Sequence, residues 1–190
     1  MTTVYTIGHS TRPLEELVGL LHANGVTRLA DIRTVPRSRR NPQFEQAALR
    51  DSLPAAGIDY LHLPALGGLR RPSPDSPNTG WRNDSFRGYA DYMLSGEFAA
   101  ALTELIALGR ERPTAVMCAE AVPWRCHRSL VGDALVVRGI EVLDIIGPGA
   151  PRTHTLRDFA VVVGEQVTYP PANGDRNGNG NGHGNGGGGG

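Results

Sequence analysis

Two thiols, a carboxylate, an imidazole and two guanidinium groups fall in one short segment, Cys118-Ala119-Glu120-Ala121-Val122-Pro123-Trp124-Arg125-Cys126-His127-Arg128. It follows directly on the apolar run Thr114-Ala115-Val116-Met117. A cysteine at the end of such a run, beside arginines, a histidine and a helix start, is driven toward thiolate, the form that attacks electrophiles and binds metals. The plain alternative for Cys118 is a small buried hydrophobe, since free cysteine is among the most buried residue types. Glu120 and His127 have the chemistry for general acid or base work. The spacing excludes one familiar loop: tyrosine-phosphatase chemistry needs a Cys and an Arg bracketing five residues, and here position 124 is Trp and the Arg comes one later. The paired spacings of structural zinc sites are also absent. No cofactor is therefore assigned, and a zinc or iron ion on Cys118, Cys126 and His127, with His9 nearby, is the alternative.

Other reactive residues lie after other strand-like runs. Gly8-His9-Ser10 follows the first, and Asp31 ends the second, followed by Arg33, Pro36, Arg37, Arg39 and Arg40. Gly67-Gly68 and Arg70-Arg71 follow the third. Arginine forks match phosphate and carboxylate in bidentate fashion, so Arg33, Arg37, Arg39 and Arg40, joined by Arg125 and Arg128, are expected to form an anion site. Ser10, Asp31, Gly67 and Gly68 complete the substrate-binding set, and His9 joins Glu120, His127 and Cys118 as catalytic candidates. A direct His9–Asp31 hydrogen bond would orient the imidazole. Trp81, Phe86, Tyr89 and Tyr92 are either base-stacking surfaces or core beneath a long loop.

The elements that must position these residues alternate. Val4-Tyr5-Thr6-Ile7, Arg28 to Ile32, Ile58 to Leu63, Thr114 to Cys118 and Glu141 to Ile146 read as strands. Leu14, Leu17, Val18 and Leu21 repeat at helical spacing, with Ser10 or Thr11 as the cap and Asn24-Gly25 as the stop. Phe44 to Ala56, Tyr89 to Met93, Phe98 to Leu108 and Cys126 to Arg138 are further helices. Strands alternating with helices mean right-handed βαβ units. The fold class expected is α/β: a single three-layer Rossmann-like domain over residues 1–169, with a mainly parallel five-stranded sheet. Residues 155–163 add a short helix or an edge strand. The Pro/Gly/Arg-rich stretch from Pro64 to Arg87 is longer than an ordinary connection and is expected to be a lid or binding loop. The Asn/Gly repeats of residues 170–190 cannot bury enough apolar surface to fold and are expected to be disordered. In open parallel sheets ligands bind beyond the carboxyl ends of the strands. That edge receives the reactive residues, while the opposite edge receives ordinary turns.

Composition sets outer limits. The 190 residues carry a net charge of zero, so no long-range attraction to nucleic acid or membrane follows from charge. All 19 basic residues are arginine. The chain opens without a signal-peptide pattern and has no membrane-spanning run, so a cytoplasmic location is expected, where two cysteines are expected to be thiols or ligands instead of a disulfide. Gly147-Pro148-Gly149 lacks a Gly-Lys-Ser/Thr ending, and no Gly-x-Gly-x-x-Gly follows the first strand, which disfavours ATP hydrolysis and ordinary NAD chemistry.

Several segments together carry a resemblance: Thr6 to Ser10, Asp31-Ile32-Arg33 with Pro36 to Phe44, Leu66-Gly67-Gly68, Phe86 to Met93, and Cys118-Ala119-Glu120 with Cys126 to Ser129. They closely resemble the domain-of-unknown-function family 488 in order and spacing, over nearly the whole chain before the Asn/Gly repeats. The resemblance implies a compact α/β domain and names no reaction. The residues themselves suggest an enzyme, a transferase or hydrolase, acting on a phosphate-bearing substrate such as a nucleotide or nucleic acid. Two alternatives are a non-catalytic module binding the same anion and a thiol- or metal-dependent protein using Cys118 and Cys126 for redox or sulfur transfer.

Overall fold

The computed structural model describes residues 2–171. Strand β1 (Thr3–Gly8) is followed by helix α1 (Leu14–Ala23), β2 (Arg28–Asp31), α2 (Gln46–Ser52) and β3 (Asp59–His62). Helices α3 (Asp84–Tyr92) and α4 (Gly96–Glu111) lead to β4 (Thr114–Cys118), α5 (Arg128–Val137) and β5 (Glu141–Ile145). A two-residue strand β6 (Arg152–Thr153) and a hairpin of β7 (Val161–Val163) and β8 (Gln166–Thr168) complete the described residues. Among the described residues, no helix is long and apolar enough to cross a membrane.

The sheet order is β3-β2-β4-β1-β5-β6, and the first five strands run parallel. The sixth strand corrects the expectation of five. Arg152 and Thr153 pair antiparallel with Asp144 and Leu143, a ladder too short to leave a period-two pattern. Residues 155–163 form neither a helix nor the sheet edge; Val161–Val163 instead pairs with Gln166–Thr168 in a separate hairpin.

Strand alternation sends side chains to opposite faces, and both faces are covered. Ala115 and Met117 of β4 join Ile7, Leu17, Leu21, Leu29 and Leu49 under α1 and α2. Val116 and Cys118 join Val4, Ala30, Phe98, Leu105, Leu130 and Leu135 under α3, α4 and α5. The result is a three-layer α/β sandwich of Rossmann-like type. Helix α4 starts where Ser95 Oγ accepts from the Phe98 amide at 3.2 Å, and α3 where Asn83 Oδ1 accepts from the Ser85 amide at 2.9 Å.

Two local expectations change. Helix α1 starts after Pro13 with no side-chain cap, because the amides of His9 and Ser10 still bond the carbonyls of Cys118 and Ala119 at 3.0 and 2.9 Å. Ser10 and Thr11 therefore belong to the strand exit. The expected helix from Phe44 to Ala56 is three pieces: a 3₁₀ turn at Pro42–Phe44, α2, and a 3₁₀ turn at Pro54–Ala56. Pro54 has no amide proton to extend the ladder.

The stretch before α3 is tied down. Asp91 accepts from the Ser73 amide (2.8 Å), Ser76 Oγ (2.6 Å) and Asn78 Nδ2 (2.7 Å). Asn78 Oδ1 in turn accepts from the Tyr169 amide at 2.8 Å. The Arg70 guanidinium lies 3.6 Å from the Tyr92 ring centre. Of the stretch from Pro64 to Arg87, Gly68 and Leu69 alone reach the cleft described below. The Asn/Gly-rich segment from residue 172 onward lies outside the described residues.

Candidate functional site

Helices α1 and α2, which follow β1 and β2, cover one face, while α5, which follows β4, covers the other. The chain therefore leaves neighbouring strands in opposite directions, and a crevice opens at their carboxyl ends. A cavity of about 660 Å³ fills it. Its wall includes His9, Ser10, Arg33, Arg37, Arg40, Gly68, Cys118, Glu120, Arg125 and His127, most of the residues singled out from sequence. Thr11, Thr34, Val35, Ser38, Asn41 and Leu69 also line it. Sequence reasoning passed over these six; the motif stretch around the arginines was the available signal for Ser38 and Asn41. Ser10 and Leu69 are the two non-glycine residues with left-handed backbone among the described residues, at φ of 51° and 63°, and both face the cavity. Such strain collects at functional sites.

The cysteines overturn the expectation of free thiols. Cys118 and Cys126 are joined as a disulfide and are almost wholly buried. The 3₁₀ turn at Pro123–Arg125 folds the chain back so that Cys126 returns to the end of β4. As a disulfide the pair has no thiolate to offer a metal.

His127 stands against both sulfurs. Its Nδ1 lies 3.6 Å from Cys126 Sγ and 4.0 Å from Cys118 Sγ, and its Nε2 lies 3.3 Å from the Ile32 carbonyl. A carbonyl only accepts, so Nε2 carries the proton and the Nδ1 lone pair faces the sulfurs. Burial, reinforced by Arg128, lowers the His127 pKa to about 4, so the ring is neutral at physiological pH. Gly68 makes room for it: a Cβ there would sit 2.9 Å from His127 Nδ1.

The other histidine is held by different partners. His9 Nδ1 lies 2.8 Å from the Ser10 carbonyl and its Nε2 lies 3.2 Å from Arg33 Nη1, so Nδ1 donates and Nε2 accepts. Its ring stacks on Phe44 at 4.4 Å. Burial, with Arg33 adding to it, lowers its pKa to about 4. His9 and Asp31 do not bond directly. Arg33 stands between them, donating Nε to Asp31 Oδ1 at 2.8 Å and Nη2 to Asp31 Oδ2 at 2.5 Å. Tyr60 and the Phe44 carbonyl complete this cluster, at 2.8 Å from Asp31 Oδ2 and from Arg33 Nη2 respectively.

Four of the expected binding residues stand behind the wall or outside it. Asp31 is sealed by Arg33, and Gly67, Arg39 and Arg128 do not line the cavity. Arg128 is fully buried: Nε donates to Thr6 Oγ1 (3.1 Å), Nη1 to the Glu120 carbonyl (3.0 Å) and Nη2 to the Ala121 carbonyl (3.4 Å). It holds the Glu120 turn from within and does not reach the cavity wall. Gly8 completes that hold, because a Cβ there would collide with the Glu120 carbonyl. The aromatics are core: Tyr89 is buried, and Trp81 packs on Phe86, Phe159 and Tyr169. None of the four lines the cavity.

That leaves the charges which face solvent. Arg37, Arg40 and Arg125 are exposed on the rim and pair with no carboxylate among the described residues. Glu120 is the one carboxylate on the described wall.

Comparison with known proteins finds no curated protein and no solved structure that matches. One family model does match, over residues 13–135, a span that runs from the start of α1 into α5 and takes in the arginine loop and both cysteines. The chain belongs to the family described as domain of unknown function DUF488.

Proposed function

We propose that the cleft binds a phosphate-bearing substrate, such as a nucleotide or a nucleic-acid end, and that the protein is a transferase or hydrolase acting on it. The observation that carries this reading is the set of three unpaired guanidiniums, Arg37, Arg40 and Arg125, around one cavity whose fourth arginine, Arg33, is already spent on Asp31. Left unpaired, arginine forks suit phosphate oxygens. Val35 and Leu69, exposed by 56% and 83%, give the same cavity an apolar wall on which a sugar or base packs. Glu120 is the group placed to take a proton from an attacking water or acceptor hydroxyl. The two neutral histidines have both ring nitrogens engaged or turned toward sulfur, so they position their neighbours.

Thermal-shift measurements against mononucleotides, short oligonucleotides and sugar phosphates test this. A ligand at 100 times its dissociation constant adds about 2.7 kcal/mol. Each of Arg37→Ala, Arg40→Ala and Arg125→Ala is expected to weaken binding roughly 10- to 100-fold, the worth of a charge-assisted bond. Glu120→Gln should keep affinity and lose turnover. Stabilisation by no phosphate compound, or shifts untouched by all three arginine variants, refutes the reading.

A second reading rests on the disulfide: thiol–disulfide exchange, in which an incoming thiolate bonds to one sulfur of the pair and the other leaves as a thiolate beside His127. It predicts that a small dithiol reduces the pair in the folded protein.

A further inference from the structure

We infer that reduction of the Cys118–Cys126 pair creates a site for a zinc ion, with His127 Nδ1 as the third ligand. The inference rests on the second reading above only in requiring that the pair be reducible; it does not need the arginine cleft to bind an anion. The donor atoms of Cys118, Cys126 and His127 all lie within 4.8 Å of one another. A tetrahedral zinc needs sulfur and nitrogen donors at about 2.3 and 2.0 Å from one centre, a spacing that three atoms so close can reach by rotation of two thiolate side chains.

The ring is arranged for this. Metal-bound histidines almost always donate their second ring N–H to a carbonyl, carboxylate or water, which fixes the tautomer and aims the lone pair. Here the Ile32 carbonyl accepts from Nε2 at 3.3 Å, and Nδ1 faces both sulfurs. Tyr89 packs on the ring at 4.9 Å between centroids, and Gly68 clears the space beside Nδ1. The side chains of Cys126 and His127 are seated at the head of α5, and Cys118 closes β4, so all three sit on rigid elements. Three protein ligands leave a fourth position open. Because Cys118 and His127 both line the cavity, that position opens toward Glu120 and the rim arginines. Three ligands plus an open position is the pattern of zinc sites that activate a bound water or substrate.

The steps balance. A dithiol reductant gives two electrons and two protons to the disulfide, yielding two cysteine thiols and the cyclic disulfide of the reductant. Zinc then displaces the two thiol protons and binds two thiolates and a neutral imidazole. A disulfide oxidant, such as the cyclic form of that reductant, takes two electrons from the thiolates and two protons from water to become a dithiol; the Cys118–Cys126 bond re-forms and the ion is released, so the site is one state of a redox switch.

The test uses the full chain in two states, with no mutation needed for the central comparison. Free thiols are counted with an aromatic disulfide reagent, and bound zinc is measured after reductant and free metal are removed. The expected result is about one zinc per reduced chain, none per oxidised chain, and loss of the reduced-state zinc in Cys118→Ser and in His127→Ala. Cobalt in place of zinc should give a thiolate charge-transfer band in the reduced wild type alone. Zinc should also raise the midpoint potential of the pair, by roughly 60 mV when free zinc is 100 times its dissociation constant. Equal zinc on reduced and oxidised chains, or a reduced chain with two counted thiols and no zinc, overturns the inference while leaving thiol exchange standing. A pair that no dithiol reduces in the folded protein overturns both.

Discussion

His154 offers a prediction whose size follows from the structure. It lies outside the cleft, between two buried carboxylates: Nε2 is 2.9 Å from Asp133 Oδ1 and Nδ1 is 2.9 Å from Asp144 Oδ2. Two carboxylates can both accept from one ring only if both nitrogens carry protons, so the buried ring is an imidazolium. Burial pushes its pKa down, but the hydrogen bonds and charges of Asp133 and Asp144 outweigh burial and hold it at about 9. A folded pKa above the unfolded value of about 6.5 contributes stability that is complete below the unfolded value and lost as pH rises through the folded one. The difference, at 1.36 kcal/mol per unit, corresponds to a loss of about 3 kcal/mol between about pH 6.5 and pH 9. His9 and His127, both lowered to about 4, contribute in the opposite sense and only below about pH 6.5, where stability rises with pH. The buried tyrosines Tyr89 and Tyr169, raised by burial, act only above the ordinary tyrosine range. The unfolding free energy should therefore peak near neutrality. Denaturant titrations across the window, with the His154 ring followed by NMR in the folded protein, check this. A flat profile from about pH 6.5 to 9, or a ring that titrates near 6.5, refutes the buried imidazolium.

Two further perturbations have defined outcomes. Gly8→Ala pushes a methyl group into the Glu120 carbonyl that Arg128 holds, and overpacking of this kind costs about 1–3 kcal/mol, read by chemical denaturation; an unchanged midpoint would mean that the Glu120 turn moves freely. Asp91→Ala removes the acceptor shared by Ser73, Ser76 and Asn78 and should speed hydrogen exchange of the Ser73 amide roughly 10- to 150-fold, since a bond to a charged acceptor is worth about 1.5–3 kcal/mol.

The strands were legible because their burial is continuous. Thr114–Cys118 is apolar or small at every position and buried at every position, and its ends match the sequence reading. The cleft was legible because parallel topology brings strand ends together, whatever the details of the helices. What escaped the sequence depends on partners far along the chain. Arg128 looks like a surface cation until Thr6, 122 residues away, and two loop carbonyls are seen around it. Asp31 and His9 look like a pair until Arg33 is found between them. The disulfide was misjudged because compartment was used to decide a question of geometry, and only the turn at Pro123–Arg125 shows how residues eight apart come together. His154 carried no motif; its partners lie on α5 and β5 and become neighbours only through β6.

The buried bonds form one continuous line. Tyr169 donates to Asp133 at 2.7 Å, Asp133 meets His154, His154 meets Asp144, Thr6 Oγ1 donates to Asp144 at 2.6 Å, and Arg128 joins Thr6 to the Glu120 turn. The family match stops at residue 135, before β5, His154 and Tyr169. For anyone designing a shortened or fused version of this protein, the match boundary is therefore the wrong place to cut. An end at that point would remove β5, one of the two neighbours of β1, and leave Asp133 without either of its donors. A partner attached beyond Tyr169 would leave the line whole, and with it the support of the cleft on the far side of the sheet's central strand.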